Sequence, residues 1–587
     1  MRRFLRIIAG AALALGAAAT PVAAQQQLDS KVPIAFNRFY DYEEMTDLFR
    51  RLAQAYPHLC TLKSLGKSEQ GRELWVLTVT NAKTGPELDK PAMYIDANIH
   101  GNEVQAGETV LYTAWYLLSG YGQVPAITEA LDRSVFHLIP MVNPDGRDGW
   151  FADAHTPHSN RTGLKPTDND RDGELDEDGP EDLDGDGSIG FMWRPDPNGT
   201  HRRSELDPNV MEPVPAEPRA DGSIRRGDWS MAGSEGIDND GDGRINEDGP
   251  GGYDMNRNFP ADWHPPHVEG GAGDWPFAYP ETRAIGEFIL AQPNLAAGQA
   301  YHNTGGMILR GPGAQSREGD YPPRDRATYD AIAKAGEEML PGYRSMVIWS
   351  DLYPVRGGFV NWLAESLGIV SYTNELWTEK RISQNGGSPD GPAMERWKDR
   401  VLLDRTSTPL SEVMHPTLGR VLVGGGNKWS SRIPPPFMLE EECHRNFAFT
   451  LYHAGQMPLV RFGEVKAEAI EIGPGLFQVD VEVANDRLIP TRTERAASKG
   501  IGQPDRLTLT GADVVASGFL RDRFAKSMDE VRFRPATIPV DDGIPGRGSR
   551  FFRFLVAGKG GDAVTLNYAA EKATDVSTTV LLPKPER

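Results

Sequence analysis

Apolar positions along the first 150 residues switch repeatedly between helical and strand spacing. Residues 41–56 and 103–118 have the 3.6-residue period of amphipathic helices, whereas residues 74–80, 92–98 and 135–142 are short apolar runs typical of strands. Strands that alternate with helices predict an α/β fold, in which a mixed sheet is flanked by helices on both faces.

The alternation stops at about residue 151 and resumes after residue 252. Residues 151–252 are rich in Asp, Gly, Pro and Asn and lack periodicity, which predicts an inserted loop region. The later part of the same fold is predicted to contain a helix at 281–290, a buried strand at 297–301 and a helix at 440–451.

Beyond Pro458 the pattern changes to short alternating strands, which predict a small all-β domain, most simply a sandwich. The predicted strands are 476–483, 506–510, 551–556, 563–568 and 578–582. The domain boundaries expected from these changes are 1–24 for a signal peptide, 25–456 for the α/β domain and 457–587 for the β domain.

Residues 1–24 have the order of segments found in a secretory signal peptide. Three arginines precede the apolar run 7–19, and Val22-Ala23-Ala24 fits a cleavage site with small residues. We therefore expect a secreted or periplasmic protein.

The net charge of the chain argues against two classes of binding partner. The chain has 587 residues and a formal net charge of −21, which argues against nucleic acid or an anionic membrane as a partner because both attract clustered Lys and Arg. Two cysteines exclude a disulfide framework. Whether Cys60 and Cys443 pair with each other stays open, as does the oligomeric state.

An acidic repeat occupies the inserted region. Residues 168–180 and 238–250 are identical at nine of thirteen positions, and a shorter copy spans 182–187. Carboxylates at positions 1, 3 and 5 followed by glycine at position 6 are typical of calcium loops, although position 12 lacks the glutamate of a calmodulin-type loop. A solvated acidic linker is the alternative. The expected Ca²⁺ ligands are Asp168, Asp170, Asp172, Asp176, Asp182, Asp184, Asp186, Asp238, Asp240 and Asp242.

Three residues have the types and positions expected of a catalytic metal site. His100 and Glu103 are three apart where a buried strand gives way to a helix, and His302 follows another buried strand. Side chains at the carboxyl ends of parallel strands meet at one edge of a sheet. Two His and one Glu leave the fourth position of a Zn²⁺ ion open for water, which is the pattern of a catalytic site.

The order of these and other motifs resembles the zinc metallocarboxypeptidases of the carboxypeptidase A type (funnelins), here as a secreted bacterial member with Asp-rich calcium-loop insertions. The resemblance covers residues 40–455. It rests on Gly66-Lys-Ser-Glu-Gln-Gly-Arg72, His100-Gly-Asn-Glu103, Asn143-Pro-Asp-Gly146, Trp193-Arg194, Asp254-Met-Asn-Arg-Asn-Phe259, His302, Tyr353, Gly357-Gly358 and Tyr372-Thr-Asn-Glu-Leu376.

The resemblance implies a fold and a set of residue roles. It implies one catalytic Zn²⁺ held by His100, Glu103 and His302, and Glu375 as the general base. Arg194 is implied to stabilise the oxyanion, Asn256 and Arg257 to hold the substrate's terminal carboxylate, and Tyr353 to be the mobile tyrosine. Val360 is implied to lie at the floor of the specificity pocket, without an acid for a basic side chain. Asp254 is expected to accept the second N–H of His100.

The expected function is hydrolysis of the C-terminal peptide bond of peptides by a zinc-activated water. Two alternatives remain open at this point. One is a zinc amidase or peptidase that acts on cell-wall stem peptides or N-acyl amino acids, since a free carboxylate is common to all these substrates. The other is a non-catalytic calcium-loop binding protein.

Overall fold

The computed structural model describes residues 28–584 apart from 216, 217, 219, 225, 383–390, 404, 471, 472 and 474. The predicted signal peptide lies outside the described residues. The α-helices are α1 (Tyr42–Ala55), α2 (Val104–Gly120), α3 (Pro125–Arg133), α4 (Pro144–Ala152), α5 (Pro280–Leu290), α6 (Pro323–Met339), α7 (Phe359–Leu367), α8 (Gly391–Leu402), α9 (Pro436–Gly455) and α10 (Glu494–Lys499). Among the described residues, none of the helices combines the length and apolarity needed to cross a membrane.

The strands before residue 430 form two sheets. They are β1 (Cys60–Lys67), β2 (Glu73–Val79), β3 (Ala92–Ala97), β4 (Val135–Ile139), β5 (Phe191–Gly199), β6 (His201–Arg203), β7 (Met211–Pro213), β8 (Gly227–Ser234), β9 (Leu295–Asn303), β10 (Met307–Arg310), β11 (Arg344–Val347), β12 (Val370–Leu376), β13 (Ser407–His415) and β14 (Gly419–Gly426). The central sheet has the order β1-β2-β4-β3-β9-β12-β10-β11.

The central sheet is mixed, and its middle is parallel. Strands β4, β3, β9 and β12 run parallel to one another, whereas β2 and β10 pair antiparallel with the two ends of this run. Every residue of β3 and β9 is buried. Helices α1, α2 and α9 contribute to the apolar core on one face, and α5 and α7 to the core on the other. Burial on both faces explains why these strands are continuous apolar runs. The predicted α/β class is confirmed.

The inserted region contains a sheet that the sequence pattern did not predict. Strands β5 to β8 pair with β13 and β14 in the order β13-β14-β5-β8-β6-β7. The small core of this sheet contains Met192, Val421 and Val423. Apart from these core residues, most positions of β5 and β8 are exposed or only partly buried. These strands therefore lack the alternation of apolar and polar residues by which a strand is recognised in a sequence.

The C-terminal β domain is a sandwich, as predicted. Its strands are β15 (Val460–Ala469), β16 (Leu476–Asn485), β17 (Asp505–Thr510), β18 (Asp513–Leu520), β19 (Asp529–Glu530), β20 (Thr537–Val540), β21 (Gly548–Ala557), β22 (Ala563–Ala570) and β23 (Ala573–Leu581). Sheets β15-β16-β21-β18-β19 and β20-β17-β22-β23 share one apolar core. Cys60 and Cys443, which the sequence left open, are both buried and free.

A buried ion pair joins the core to the turn that follows β3. Arg147 in α4 and Glu108 in α2 are both fully buried, with Nη2 and Oε1 2.7 Å apart. The Nη1 atom of Arg147 also donates to Asn98 Oδ1 at 2.6 Å and to the Val104 carbonyl at 2.8 Å. One guanidinium therefore fixes both ends of the 98–104 segment.

Replacing Arg147 with methionine should destabilise the α/β domain by about 3–5 kcal/mol, because the Glu108 carboxylate would stay buried without its partner. Denaturant unfolding of the full chain checks this. The double variant Arg147→Met/Glu108→Gln is the control and should regain part of the loss. A single variant that loses less than about 1 kcal/mol would contradict the assigned role.

Candidate metal centre and active site

Three neighbouring strands of the central sheet end at the same edge and carry the candidate residues there. His302 lies near the end of β9, and Glu375 lies beside it in β12 at the paired register position. Strand β3 ends at Ala97, and the next residues form the turn that carries His100 and Glu103. Parallel pairing thus brings together residues that are up to 275 positions apart in the sequence.

Backbone geometry explains the sequence of the turn. Asn98 has a φ of 58°, and its Nδ2 atom donates to the carbonyls of His100 at 2.7 Å and Gly101 at 3.0 Å. A Cβ atom at Gly101 would lie 2.4 Å from the Asn160 carbonyl oxygen. Position 101 must therefore be glycine, because any side chain would collide with the backbone of the 160–162 segment.

The side chains of His100, Glu103 and His302 converge on one buried point. The Nδ1 atoms of the two histidines are 3.2 Å apart. Glu103 places Oε1 3.0 Å from His100 Nδ1 and Oε2 3.0 Å from His302 Nδ1. All three side chains are at most 3% exposed.

This donor set fits a zinc ion. Ligands in a tetrahedral zinc site lie roughly 3.3 Å apart, given zinc–ligand distances of about 2.0–2.1 Å, and the observed separations are close to that value. Glu103 Oε2 is buried without a hydrogen-bond partner, as expected of an atom that faces a cation. On the far side of His100, Nε2 lies 3.2 Å from Asp254 Oδ1, where that carboxylate orients the ring.

Two arginines that the sequence analysis did not single out also contact Glu103. Arg161 Nη1 is 2.9 Å and Arg432 Nη2 is 3.1 Å from Glu103 Oε1. The Arg161 carbonyl accepts from the Gly101 N–H at 3.1 Å, and the next carbonyl, of Thr162, accepts from Asn143 Nδ2 at 2.9 Å. The Asn143-Pro-Asp-Gly146 turn thereby holds Arg161 beside the histidines. Arg161 also lies close enough to Asp254, Glu375 and Tyr353 for their charges to raise its pKa against the opposing effect of burial.

The structure does not bring Arg194 to this cluster. Arg194 lies in β5 of the second sheet, opposite Ser230 of β8, with an exposed side chain. It acts electrostatically on Asp196, whereas the arginines that act on Glu103, Asp254 and Glu375 are Arg161, Arg257 and Arg432. The structure thus places Arg161, and not Arg194, beside the candidate metal ligands.

The 254–257 segment forms a single turn of 3₁₀-helix that begins at Asp254. Asp254 Oδ1 accepts from the N–H of Asn256 at 2.8 Å. Asn256 Oδ1 accepts from the N–H of Phe359 at 2.9 Å, which ties this turn to the start of α7. Burial opposes ionisation of Asp254, but the charges of His100 and Arg257 outweigh it and lower the pKa of that carboxyl.

Arg257 is held rigidly beside this turn. Its Nε donates to Glu269 Oε1 at 2.8 Å and its Nη1 to the Asn256 carbonyl at 3.0 Å. These contacts fix the plane of the guanidinium group.

The remaining predicted residues occupy different environments. Burial, with the charge of Glu103, raises the pKa of Glu375 to about 7. Tyr353 follows the 348–352 helical turn and is 48% exposed. Val360 lies in the first turn of α7 and is buried in the core between that helix and the sheet.

The acidic repeat brings most of its predicted ligands into groups whose oxygens lie within 4.8 Å of one another. Glu177, Asp248, Glu235 and Glu247 join these groups although the sequence analysis did not select them. Asp176, Asp186 and Asp238 are absent from the groups found among the described residues. Asp238, for example, uses both oxygens to accept from the N–H groups of Gly241 and Gly243.

Two family models match the chain. One is described as "Zinc carboxypeptidase" and matches residues 45–174 and 226–390, which is half of the chain. The matched residues include Arg161 and all three candidate zinc ligands, whereas Arg194 lies between the two matched ranges. The other is described as "Domain of unknown function (DUF8731)" and matches residues 460–581, within the β-sandwich.

Curated proteins and solved structures with similarity to the chain include several carboxypeptidases. Human carboxypeptidase D is 34% identical over 119 residues, which is 20% of this chain and 9% of that protein. Human carboxypeptidase Z is 39% identical over 127 residues, 21% of this chain and 19% of that protein. A crystal structure of carboxypeptidase A from Helicoverpa armigera is 19% identical with a TM-score of 0.40, covering 58% of this chain and 66% of that one. The matches to these two relatives thus span less than a fifth of each relative's length, and on the model that matches half of its residues this chain belongs to the zinc carboxypeptidase family.

Proposed function

We propose that this protein is a zinc-dependent metallocarboxypeptidase that hydrolyses the C-terminal peptide bond of peptides. The observation that supports this most strongly is the convergence of His100, Glu103 and His302 on one buried point, with Glu375 at the register position beside His302. Three protein ligands leave a zinc ion open to water and substrate, as catalysis requires.

His100, Glu103 and His302 would hold the zinc ion, which when bound would supply polarisation of the scissile carbonyl and a lowered pKa of water. In the proposed mechanism Glu375 accepts the proton of the attacking water and then delivers it to the leaving amine nitrogen. Its place at the end of β12 is fixed by pairing with β9, so the carboxylate does not need to move far between the two transfers.

Arg161 is proposed to stabilise the negative charge that develops on the carbonyl oxygen. Its guanidinium group lies 2.9 Å from Glu103, in the electrostatic range of Glu375, and a positive charge already in place beside a developing oxyanion stabilises it. This role replaces the one that the sequence resemblance gave to Arg194.

Arg257 and Asn256 are proposed to bind the free carboxylate of the substrate. Nε and Nη1 of Arg257 are engaged, and Nη2 donates no hydrogen bond to a described residue, which leaves it for a ligand. Tyr353 is exposed near Arg161 and is proposed to close over the bound substrate. A carboxylate anchored at Arg257 restricts cleavage to the bond next to a free C-terminus.

Calcium and export belong to the same proposal. Ca²⁺ is proposed as a structural cofactor of the acidic loops, because oxygen-only ligands in DxDxDG order are typical of calcium sites. Export is proposed from the signal-peptide pattern of residues 1–24 alone.

The substrate class can be tested with matched peptides. A mixture of peptides with free C-termini should lose one residue at a time, as read by mass spectrometry, whereas the C-terminally amidated peptides should be cut at least ~10²-fold more slowly, since they lack the charge that Arg257 binds. The Glu375→Gln variant is the control for chemistry by this chain and should lose at least ~10² in kcat. Cleavage of cell-wall stem peptides or N-acyl amino acids alone would favour the first alternative, and no cleavage would favour a binding protein.

Zinc content tests the ligand assignment. His302→Ala should reduce bound zinc from about one ion per chain to a small fraction, because two remaining ligands rarely hold the metal. His267, an exposed histidine in the loop after the 254–259 segment, supplies the control variant His267→Ala, which should keep its zinc. Near-stoichiometric zinc in His302→Ala would refute the assignment.

Two variants test which arginine stabilises the oxyanion: Arg161, which lies beside Glu103 in the structure, or Arg194, which the sequence resemblance implies. Arg161→Met should lower kcat by about 10²–10³-fold, the usual effect of losing one donor to a developing oxyanion, with zinc still bound. Arg194→Met should keep kcat within about twofold of the unaltered protein, a margin that corresponds to about 0.4 kcal/mol. The reverse pattern would restore the original role of Arg194.

A further inference from the structure

The two acidic loops are arranged as a pair. The first loop (168–180) and the second loop (238–250) meet at Asp178 and Asp248, whose backbones exchange two N–H to carbonyl hydrogen bonds of 3.2 Å. In both loops the first aspartate accepts from the backbone N–H groups three and five residues later. The similarity seen in the sequence is therefore also a similarity of backbone conformation.

Their carboxylates form two groups of four that each draw on both loops, beside a smaller group of Asp168, Asp170 and Asp248. One combines Asp170, Asp172 and Glu177 of the first loop with Asp240 of the second. The other combines the equivalent residues, Asp240, Asp242 and Glu247 of the second loop with Asp170 of the first. Positions 3, 5 and 10 thus contribute to the group of their own loop, and position 3 contributes to both groups.

A second, independent observation indicates that a ligand is expected at these groups. Glu177 and Glu247 each have both carboxylate oxygens shielded from solvent without a hydrogen-bond partner. Asp178 is fully buried, its Oδ2 has no partner, and its charge acts on Glu247. The charged form of carboxylates shielded in this way is strongly unfavourable unless a cation balances it.

We propose that the two loops bind a pair of calcium ions, which share Asp170 and Asp240 as ligands and join the loops to each other. Calcium takes six to eight oxygen ligands and tolerates irregular geometry, whereas magnesium requires six in a near-ideal octahedron. Four carboxylates in each group, which can bind through one or both oxygens, suit the larger ion. This arrangement extends the calcium proposal above to a count and a ligand set, and it does not depend on peptidase activity.

The pair of ions would also support the active site. The first loop begins shortly after Arg161, and the second loop ends shortly before Asp254. Between them, the Gly163 N–H donates to the Tyr253 carbonyl at 2.9 Å, and Asn169 Nδ2 donates to the Gly251 carbonyl at 3.0 Å. Ordering of the loops should therefore hold Arg161 and Asp254 in place, where ~1 Å of displacement can cost ~10²-fold in rate.

Calcium titration of the full chain tests the ligand set. After dialysis over a calcium-chelating resin, with zinc content checked before and after, calorimetry with calcium chloride should give two ions per chain at the paired loops, in addition to any ion bound by the separate group of Asp182, Asp184 and Glu235. Asp170→Asn, which removes a shared ligand, should weaken both ions at least tenfold. Asp242→Asn should weaken one ion and leave the other. Glu174→Gln, an exposed acid of the first loop outside both groups, should leave both unchanged.

Two results of the calcium titration would contradict the proposal. One ion per chain, or loss of a single ion in Asp170→Asn, would overturn the shared pair even if calcium binds. Absence of saturable binding would overturn the site altogether, whatever the peptidase assays give. Should Asp170→Asn fail to fold, Asp240→Asn, which changes the other shared residue, decides the same question: both ions should weaken, and loss of a single ion would overturn the shared pair.

Removal of calcium with zinc in place tests the link to the active site. The melting temperature should fall, because a ligand that binds only the native state is lost, and kcat/KM should fall at least tenfold and recover when calcium is restored. An unchanged melting temperature would overturn the structural role of the ions. A lower melting temperature with unchanged kcat/KM would overturn the proposed support of Arg161.

Discussion

Burial of carboxylates without enough protein donors is the constraint on which this structure depends most. A charged oxygen removed from water needs a hydrogen-bond donor or a cation. In the core, Arg147 meets this need for Glu108. At the edge of the central sheet, arginines contact one oxygen of Glu103, while the other lies beside His302 without a hydrogen-bond partner. In the acidic loops, both carboxylate oxygens of Glu177 and both of Glu247 are shielded from solvent and lack a hydrogen-bond donor.

The active site is assembled by long-range backbone contacts rather than by one local motif. In the 98–103 turn, the Gly101 N–H donates to the Arg161 carbonyl. In the Asn143 turn, Asn143 Nδ2 donates to the carbonyl of the next residue, Thr162. The acidic loops lie between Arg161 and Asp254 in the sequence, and they pair with each other through the backbones of Asp178 and Asp248. An insertion at this point therefore does more than lengthen the chain, because its residues Gly163 and Asn169 hydrogen-bond the backbone just before Asp254.

Sequence reasoning succeeded where the determinants are local. The period of apolar residues predicted β2, β3, β4 and β9 of the central sheet and five strands of the sandwich, because these strands bury continuous or alternating faces. It missed β5 to β8, whose residues are polar and exposed. It selected Arg194 because a dipeptide matched, whereas Arg161 is placed by the backbone hydrogen bond to Gly101 and has no motif of its own. Glu177 and Glu247 could have been found, since both repeats carry glutamate at position 10.

Anomalous X-ray diffraction from crystals of the full chain, grown with calcium, would test the balance of buried carboxylates by cations most directly. Data collected above and below the zinc absorption edge should give one peak among His100, Glu103 and His302 that is lost below the edge. Two further peaks should persist between the loops, one beside Glu177 and one beside Glu247. Ordered water or an arginine side chain at these oxygens, with no anomalous peak, would contradict the account.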